Sequence, residues 1–459
     1  MSWLRRGTAG IAWVALVALA GGSTVDRVHR APGVAGPAIS TPAVSPEPPG
    51  RPPPVLAAAV DGPEQTPAGV ARMLAGALAD RRLGGRLAAT VLDAETGEVL
   101  LDRSAGAYVL PASTAKLVTA VAVLASGAPD RRLTTTLVAG SRPGEVVLVG
   151  AGDGTLAAAA GGAATAYEGA PRLATLATAA RRAGVRNVTR VLVDGSLFTG
   201  PRLAPGWDPV DIGGGYVAPV TAVMVDGGRQ GPGVRARSAE PDLAAGRALA
   251  GLLGAPTAPV LRGRAPVGAR LLGSVQSQPV ARLVEQMLLA SDNVLADLLA
   301  RQVAIAEGEP ASFAGAAAAS RAVLTRLGLP AGGDRLVDGS GLSLTDRVTP
   351  ALLAALLRAA TAADRPELHA LVAGLPVSGY DGTLDDRFRG PAAAPAAGQV
   401  RAKTGTLTGV SALAGLVRAA GGRLLAFAVV ADRVPPTGTL RAEAALDTVA
   451  ARLATCGCP

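Results

Sequence analysis

Lysine is almost absent from this chain of 459 residues, since only Lys116 and Lys403 are lysines among 44 basic residues. Arginine replaces lysine wherever only a positive charge is needed, but its guanidinium does not release a proton near neutral pH. Asparagine is equally scarce, occurring only as Asn187 and Asn293. A codon bias explains the scarcity but not the positions, because both lysines and Asn293 lie in short polar motifs. We therefore expect the chemistry of these side chains to be needed there.

Histidine, cysteine and aromatic residues are also few, and each shortage excludes a class of site. Aromatics make up 2% of the chain, which argues against nucleic-acid platforms built on stacked bases. A Ser-His-Asp triad or a two-histidine zinc site would have to use His29, in the N-terminal tail, together with His369. Cys456 and Cys458 are too few for a cysteine zinc site; they can form a tight disulfide, stay free or link to a partner. We expect no metal, no cofactor and no nucleic acid.

The N-terminus has the three parts of a secretory signal. Arg5 and Arg6 precede an apolar run over 7–22, and Ala18-Leu19-Ala20 offers a small-residue cleavage site. The run is short for a membrane span, which needs about 20 residues. The following residues are dense in proline and cannot bury a core. The prediction is an exported protein with a signal peptide or membrane anchor at 1–22 and an extended spacer at 23–64.

Hydrophobic periodicity predicts a helix and two strands at each end of the remaining chain. Helical spacing over 68–82 is followed by a strand, turn and strand over 87–101. The C-terminal part has a strand, turn and strand over 410–430 and then an amphipathic helix over 439–454. We therefore expect one antiparallel sheet built from both ends of the chain. The predicted division is a catalytic domain formed by 65–139 and 275–458, with accessory domains inserted at 140–274.

The first motif is Ser113-Thr114-Ala115-Lys116, at the start of a predicted buried helix over 113–124. Positions i and i+3 share a helix face, so the serine hydroxyl and the lysine amine can meet. A serine hydroxyl becomes a good nucleophile only when a base takes its proton. Lysine can be that base if burial and a neighbouring positive charge lower its pKa, and Lys403 can supply that charge. The helix start also offers N–H groups to an oxyanion.

The second motif is Ser291-Asp292-Asn293, near the middle of a predicted helix over 279–301. The hydroxyl of Ser291 can relay a proton between a lysine and a leaving group. The amide of Asn293 can hold a substrate carbonyl. Alone, the triplet is equally typical of a polar patch on a helix.

The third motif, Lys403-Thr404-Gly405-Thr406, lies on a predicted strand over 399–407. Gly405 is expected to let a ligand approach the backbone closely. The hydroxyls of Thr404 and Thr406, with the ammonium of Lys403, form a receptor for a carboxylate. A strand edge also offers backbone groups that pair with an extended peptide. Three motifs in this order, each containing one of the rarest residues of the chain, are poorly explained by chance.

The set SxxK, SDN and KTG resembles that of the active-site serine penicillin-interacting enzymes. More closely, the chain resembles the low-molecular-mass D-alanyl-D-alanine carboxypeptidase/endopeptidase family with a long insertion, peptidase family S13. The long gap between Ser113 and Ser291 carries this closer match, and the resemblance covers about 65–458. Further segments resembling the family are 152–156, 193–196, 338–343 and 375–384.

The resemblance implies an α/β (α+β) penicilloyl-serine transferase fold, with a five-stranded antiparallel sheet between helices and inserted mixed α/β accessory domains. It implies a D-Ala-D-Ala carboxypeptidase that acts on peptidoglycan stem peptides and is inhibited by β-lactams. The implied roles are nucleophile for Ser113, base for Lys116, proton relay for Ser291, substrate orientation for Asn293, and carboxylate binding for Lys403, Thr404 and Thr406. Gly405 belongs to the same binding strand, and the N–H groups of Ser113 and Thr406 would form the oxyanion hole.

Three other functions use the same motifs. A D,D-endopeptidase cleaves cross-links at the same kind of bond, and the motifs do not separate the two activities. A β-lactamase needs an added base for fast deacylation, and Glu285 is the nearest candidate in sequence. A catalytically silent wall-binding protein would keep the spacer and insertion, but intact Ser113, Lys116 and Lys403 argue against it.

Overall fold

The structure, a computed structural model, describes residues 65–159, 161–231 and 233–458. The predicted signal peptide or anchor and nearly all of the spacer precede these residues and lie outside them. Within the described part, no helix is long and apolar enough to cross a membrane. The strands are β1 (Leu87–Asp93), β2 (Val99–Arg103), β3 (Thr134–Ala139), β4 (Glu145–Val149), β5 (Arg190–Asp194), β6 (Val260–Arg262), β7 (Leu271–Gln276), β8 (Val400–Leu407), β9 (Val410–Arg418) and β10 (Leu424–Ala431).

Helices connect and cover these strands. They are α1 (Pro67–Leu78), α2 (Lys116–Ala125), α3 (Leu173–Arg182), α4 (Val210–Gly214), α5 (Pro241–Leu252), α6 (Val280–Ala290), α7 (Asn293–Ala306), α8 (Phe313–Arg326), α9 (Pro350–Ala359), α10 (His369–Gly374) and α11 (Thr439–Ala454).

The first sheet has the strand order β2-β1-β10-β9-β8, and all its neighbours are antiparallel. Its strands come from the two ends of the described chain, so the prediction of one antiparallel sheet built from both ends is confirmed. In β10, Leu425, Phe427 and Val429 share a core with α1 and α11. The alternate residues point to the opposite face, where α9 packs against β1 and β10. Helices on both faces explain why β9 and β10 are buried at almost every position.

The second sheet is mixed, with the order β6-β5-β4-β3-β7. β4, β5 and β6 run parallel, whereas β3 pairs antiparallel with β4 and β7. Helices α3 and α5 share its apolar core, in agreement with the predicted mixed α/β character. β3 and the end of β7 fall on the catalytic side of the predicted boundaries, although both strands belong to this sheet. We therefore propose that the inserted part runs from about 134 to 276.

The prediction of one continuous helix over 279–301 is wrong, because the chain breaks between α6 and α7. Ser291 has φ 53° and ψ 39°, a left-handed conformation that ends α6. Asp292 then caps α7, since its Oδ1 accepts a hydrogen bond of 3.0 Å from the Leu295 N–H. The break places Ser291 and Asn293 at helix termini instead of on the side of a helix.

The last described residues are held against the first ones by a hydrogen bond. Cys456 and Cys458 form a disulfide and are both buried. The carbonyl oxygen of Cys458 accepts a hydrogen bond of 2.9 Å from the N–H of Thr66. Among the described residues, no group of three or more histidine, cysteine, aspartate or glutamate side chains is arranged to hold a metal ion.

Candidate active site

Ser113 lies in a tight 3₁₀ turn, Ala112–Ala115, that leads directly into α2. The backbone before it is strained, because Ala112 has φ 48° and is not a glycine. Gly341 makes room for this turn: it has φ 79°, and a Cβ there would collide with the carbonyl oxygen of Ala112. The serine therefore begins the helix, as predicted, but on a turn that another segment of the chain holds in place.

Lys116 is fully buried and connects three parts of the site. Its Nζ donates to Ser113 Oγ at 2.8 Å, to Asn293 Oδ1 at 2.6 Å and to the carbonyl oxygen of Ser340 at 2.8 Å. Burial lowers the pKa of Lys116 to about 8, although nearby carboxylates, led by Asp338, oppose the shift. A substantial fraction of the amine is therefore unprotonated just above neutral pH, as a base for the serine hydroxyl requires.

Three buried aspartates lie behind this lysine. Asp338 accepts hydrogen bonds from the N–H groups of Ser340 at 2.9 Å and Gly341 at 2.6 Å, so it holds the loop that receives Lys116. Burial, followed by the Asp338 charge, raises the pKa of Asp346 to about 9, and the same two causes raise the pKa of Asp297 well above its usual value. The three sequence motifs do not include these carboxyls. Only Asp338 lies in a segment, 338–343, that resembles the family.

The second motif reaches the site through Asn293. Its Oδ1 accepts from Lys116, and its Nδ2 donates to the carbonyl oxygen of Tyr216 at 3.1 Å. Ser291 is two residues away and half-buried, but its hydroxyl forms no hydrogen bond within the described part of the chain. Hydrogen bonds thus join Ser113, Lys116 and Asn293, while Ser291 is connected to them only through the chain, two residues before Asn293.

Asp292 is held by the inserted part of the chain. Its Oδ2 accepts from the Tyr167 hydroxyl at 2.8 Å and lies 3.2 Å from Arg229 and 3.8 Å from Arg237. Burial acts to raise the pKa of Asp292, but the charges of Arg237 and Arg229 outweigh it and the pKa is lowered. Arg229 also lies over the Tyr167 ring, 5.1 Å from its centroid. We call Tyr167, Arg229, Arg237 and Asp292 the anchor cluster.

A second contact from the insertion reaches the site through Trp207. Its indole Nε1 donates to Asp338 Oδ2 at 2.7 Å. Together with the Tyr216 carbonyl and the anchor cluster, the insertion therefore contacts groups adjoining both Ser291 and Lys116. All three motifs lie outside the insertion, and from this we expect that replacing about 140–270 with a short linker leaves the chemistry in place and weakens peptide selection. These contacts do not support that expectation.

The third motif lies on β8, at the edge of the first sheet. Lys403 is fully buried, and its Nζ donates to the Thr404 carbonyl oxygen at 2.9 Å. Burial, followed by the Lys116 charge, lowers the pKa of Lys403 well below its usual value. The charge of Lys116 therefore disfavours protonation of Lys403, whereas the pKa of Lys116 is lowered by its burial. That a positive charge on Lys403 also lowers the pKa of Lys116 stays a prediction.

Close contacts within the protein explain why position 405 is a glycine. A Cβ at this position would lie 2.7 Å from the carbonyl oxygen of Pro111 and 3.0 Å from Cβ of Ala412. The glycine therefore lets β8 pass close to the turn that carries Ser113. This close approach brings the third motif beside the first.

The outer edge of β8 is covered at one end and open at the other. Pro376 accepts from the Ala402 N–H and Ser378 donates its N–H to the Val400 carbonyl, both at 2.9 Å. Among the described residues, no strand pairs with this edge beyond Thr404, where the motif continues to Thr406. An extended peptide can therefore pair with β8 at that end.

The two threonine hydroxyls of the third motif have partners within the protein. Thr404 Oγ1 donates to Thr383 Oγ1 at 2.9 Å, and Thr406 Oγ1 donates to Glu443 Oε1 at 2.8 Å. Neither Thr383 nor Glu443 was predicted from the motifs. Thr383 belongs to the noted segment 375–384, whereas nothing in the sequence indicated Glu443.

The fold and this arrangement of serine and two buried lysines define a class of protein. The chain belongs to the D-Ala-D-Ala carboxypeptidase 3 (S13) family, whose sequence profile matches residues 70–240 and 230–453. The predicted family is confirmed, and membership places the chain in the predicted enzyme class.

Individual relatives match over most of their length. The chain is 43% identical to carboxypeptidase DacB of Mycolicibacterium smegmatis over 453 residues, covering 98% of this chain and 95% of the relative. It is also 43% identical to a carboxypeptidase of Mycobacterium tuberculosis over 428 residues, covering 90% of each. The crystal structure of penicillin-binding protein 4 from Haemophilus influenzae matches with a TM-score of 0.68 at 24% identity, covering 83% of this chain and 97% of that one. That likeness confirms the predicted fold.

Proposed function

We propose that this chain is a serine-type D-Ala-D-Ala carboxypeptidase that acts on peptidoglycan stem peptides through an acyl-enzyme on Ser113. The observation that carries the proposal is the 2.8 Å hydrogen bond between the Ser113 hydroxyl and Nζ of Lys116, a fully buried amine whose pKa burial lowers to about 8. Family membership supplies the substrate class, a peptide ending in D-Ala-D-Ala.

In the proposed reaction, Lys116 removes the hydroxyl proton of Ser113 as Oγ attacks the carbonyl carbon of the penultimate D-Ala. The N–H groups of Ser113 and Thr406 stabilise the oxyanion. The C–N bond then breaks, and the leaving amine receives the proton from Lys116 through the Ser291 hydroxyl. A water molecule deprotonated by the same lysine hydrolyses the ester and restores Ser113.

Substrate binding is assigned to β8 and Asn293. The open end of β8 would pair with the peptide backbone, while Lys403, Thr404 and Thr406 would hold the terminal carboxylate and Asn293 a substrate carbonyl. An incoming carboxylate would favour protonation of Lys403, because a nearby negative charge stabilises an ammonium. Penicillin-binding protein 4 of Haemophilus influenzae has been solved with a β-lactam, and we propose that β-lactams acylate Ser113 here.

Labelled penicillin tests this function. We expect a long-lived adduct on Ser113, found by intact mass and peptide mapping, and none on Ser113→Ala. Rapid loss of the adduct would indicate a β-lactamase, and the absence of any adduct a silent binding protein. Glu285, the candidate second base, forms an ion pair with Arg282 on the same helix, which supports the slow deacylation of a carboxypeptidase. An adduct on Ser291 or Ser340 with Ser113 unmodified would refute the proposed nucleophile.

We further propose that the protein is exported and acts in the cell envelope, outside the cytoplasm. The basic, apolar and small-residue segments of 1–22 support this location, with cleavage after Ala20 or retention as an anchor. N-terminal sequencing of secreted and membrane fractions decides between the two. A full-length product found only in the cytosol would contradict both.

A further inference from the structure

The buried amine of Lys116 has two partners that can only accept hydrogen bonds. They are Oδ1 of Asn293 at 2.6 Å and the carbonyl oxygen of Ser340 at 2.8 Å. A lysine ammonium has three hydrogens, so the unprotonated amine keeps two hydrogens and one lone pair. When these two acceptors take the two hydrogens, the lone pair faces the remaining partner, the Ser113 hydroxyl at 2.8 Å. The positions of the two acceptors therefore decide whether the base points at the nucleophile.

Both acceptors are attached to the same helix. Asn293 and Asp297 are one turn apart on α7 and lie on the same face. Asp297 is buried, and its Oδ1 accepts a hydrogen bond of 2.7 Å from the N–H of Gly339. Gly339 lies directly on this helix, since a Cβ there would be 2.6 Å from Cβ of Ala300. Helix α7 thus carries the first acceptor and holds the segment that supplies the second, Ser340.

The backbone between Asp297 and the Ser340 carbonyl is held at each step. After the Gly339 N–H, which is bound to Asp297, the Gly339 carbonyl oxygen accepts from Thr119 Oγ1 at 2.6 Å. The Ser340 N–H then donates to Asp338 Oδ1 at 2.9 Å. Thr119 is itself buried on α2, the helix that begins at the catalytic lysine. The segment is therefore fixed from both helices, so the Ser340 carbonyl has one orientation.

Asp297 acts here through its acceptor oxygen, and its charge is suppressed. Burial, followed by the charge of Asp338, raises the pKa of Asp297 well above its usual value, against the opposing hydrogen bond from Gly339. The uncharged carboxyl is therefore favoured, and asparagine is a close mimic of it. A role as counter-charge to Lys116 would need the ionised form instead.

We propose that Asp297 and Thr119 are positioning residues that hold the Ser340 carbonyl where it takes one hydrogen of Lys116 and turns the lone pair towards Ser113. This inference rests on the proposed function, since it concerns the base of the same acylation. The chemical step is unchanged: the proton of Ser113 Oγ passes to Nζ of Lys116 as Oγ bonds to the carbonyl carbon. Neither positioning residue touches the reacting atoms, so their loss should affect the rate of this step and leave ligand binding unchanged.

The test compares Asp297→Leu with Asp297→Asn. Leucine has nearly the shape of aspartate but no acceptor, whereas asparagine keeps an oxygen for the Gly339 N–H. Stopped-flow acylation by penicillin over a range of concentrations gives the acylation rate constant and the dissociation constant separately. We expect Asp297→Leu to lower the rate constant about ten- to a hundredfold, as small misplacements of catalytic groups do. The dissociation constant, and both constants of Asp297→Asn, should stay within about threefold of wild type.

Asp334→Leu is the matched control for the loss of a buried carboxyl. Asp334 is also buried, and its Oδ1 accepts a hydrogen bond of 2.8 Å from the N–H of Thr349, at the start of α9. This variant should lose stability in denaturant unfolding, as Asp297→Leu does, and still acylate within about threefold of wild type. An equal loss of acylation in Asp334→Leu would show general destabilisation and overturn the proposal.

Thr119→Val gives a second route that does not depend on the folding of Asp297→Leu. Valine has the shape of threonine but cannot donate to the Gly339 carbonyl, so the acylation rate constant should fall about three- to tenfold. Thr119→Ser keeps the hydroxyl and should restore most of the rate.

The outcomes separate the positioning role from the proposed function. A wild-type rate constant in folded Asp297→Leu or Thr119→Val would overturn the role of that residue. Equal losses in Asp297→Asn and Asp297→Leu would show that the charge of Asp297 is needed, which also overturns the proposal. A wild type that penicillin does not label refutes the proposed function itself, whereas normal labelling with unaffected variants refutes only the positioning role.

Discussion

Replacing Tyr167 by phenylalanine tests whether the insertion positions the Ser291-Asp292-Asn293 triplet. The change deletes the hydroxyl that donates to Asp292 Oδ2 at 2.8 Å and leaves the ring under Arg229 in place. A hydrogen bond to a charged group contributes about 1.5–3 kcal/mol, and the ring itself is kept, so we expect a loss of about 2 kcal/mol in stability. That leaves the protein folded, because folded proteins have about 5–15 kcal/mol of stability.

The effect on chemistry follows from the position of Asp292 between Ser291 and Asn293. If most of the lost energy had held the triplet in its reactive geometry, penicillin acylation would slow by up to about thirtyfold, since each 1.4 kcal/mol is tenfold in rate. We expect a decrease of about three- to thirtyfold. Asp292→Asn is a harsher probe, because breaking a buried ion pair costs about 3–5 kcal/mol and endangers folding.

The assay is the second-order rate of penicillin acylation, measured together with denaturant unfolding. Tyr380→Phe is the control, since Tyr380 is 79% exposed and surface substitutions usually change stability by less than about 0.5 kcal/mol. If Tyr167→Phe loses stability but acylates as fast as the control, the anchor cluster stabilises the fold without positioning the triplet. If neither property changes, the reasoning from the 2.8 Å contact is refuted.

Three further predictions concern the lysines and the close approach of β8. Lys116→Arg should abolish acylation almost completely, because a guanidinium cannot accept the serine proton, whereas Lys403→Arg should retain more activity than Lys403→Ala; a near wild-type rate for Lys116→Arg would contradict the mechanism. Acylation should rise with pH and level off above about 8, because the reactive form of Lys116 is unprotonated and burial lowers its pKa to about 8; a rate that falls over pH 6 to about 8 would show a different base. Gly405→Ala should destabilise the protein by about 1–3 kcal/mol and slow acylation, since the new Cβ meets Pro111 and Ala412. Unfolding curves and acylation rates that match wild type would show that β8 can move away from these two neighbours without cost.

Much of the architecture follows from local patterns in the sequence. The closing helix was predicted at 439–454, where the structure has α11, and a strand was predicted at 399–407, where it has β8. These elements are set by hydrophobic periodicity, which is a property of neighbouring residues. The pairing of Ser113 with Lys116 is local in the same sense, because three residues on a helical turn bring two side chains together.

Local patterns did not reveal a break within a helical segment, nor contacts with residues that are distant in the chain. The apolar spacing of 279–301 continues through Ser291, so it hid the break that the left-handed serine and the Asp292 cap produce. At Gly405 no local pattern could indicate the close approach of the Pro111 carbonyl, which is far away in the chain, and the approach of a ligand there stays a prediction.

Sequence alone specifies which groups are available: one serine three residues before one lysine, a second lysine on a strand, and a Ser-Asp-Asn triplet. The tertiary structure sets the burial, the pKa values and the hydrogen-bond partners of those groups. Only folding buries Lys116 and so lowers its pKa to about 8, and only folding brings Tyr167 to Asp292 across 125 positions and Glu443 to Thr406 across 37. The physical reason is that desolvation and charge–charge interactions depend on distance in space, which sequence patterns specify only within a helix or a strand.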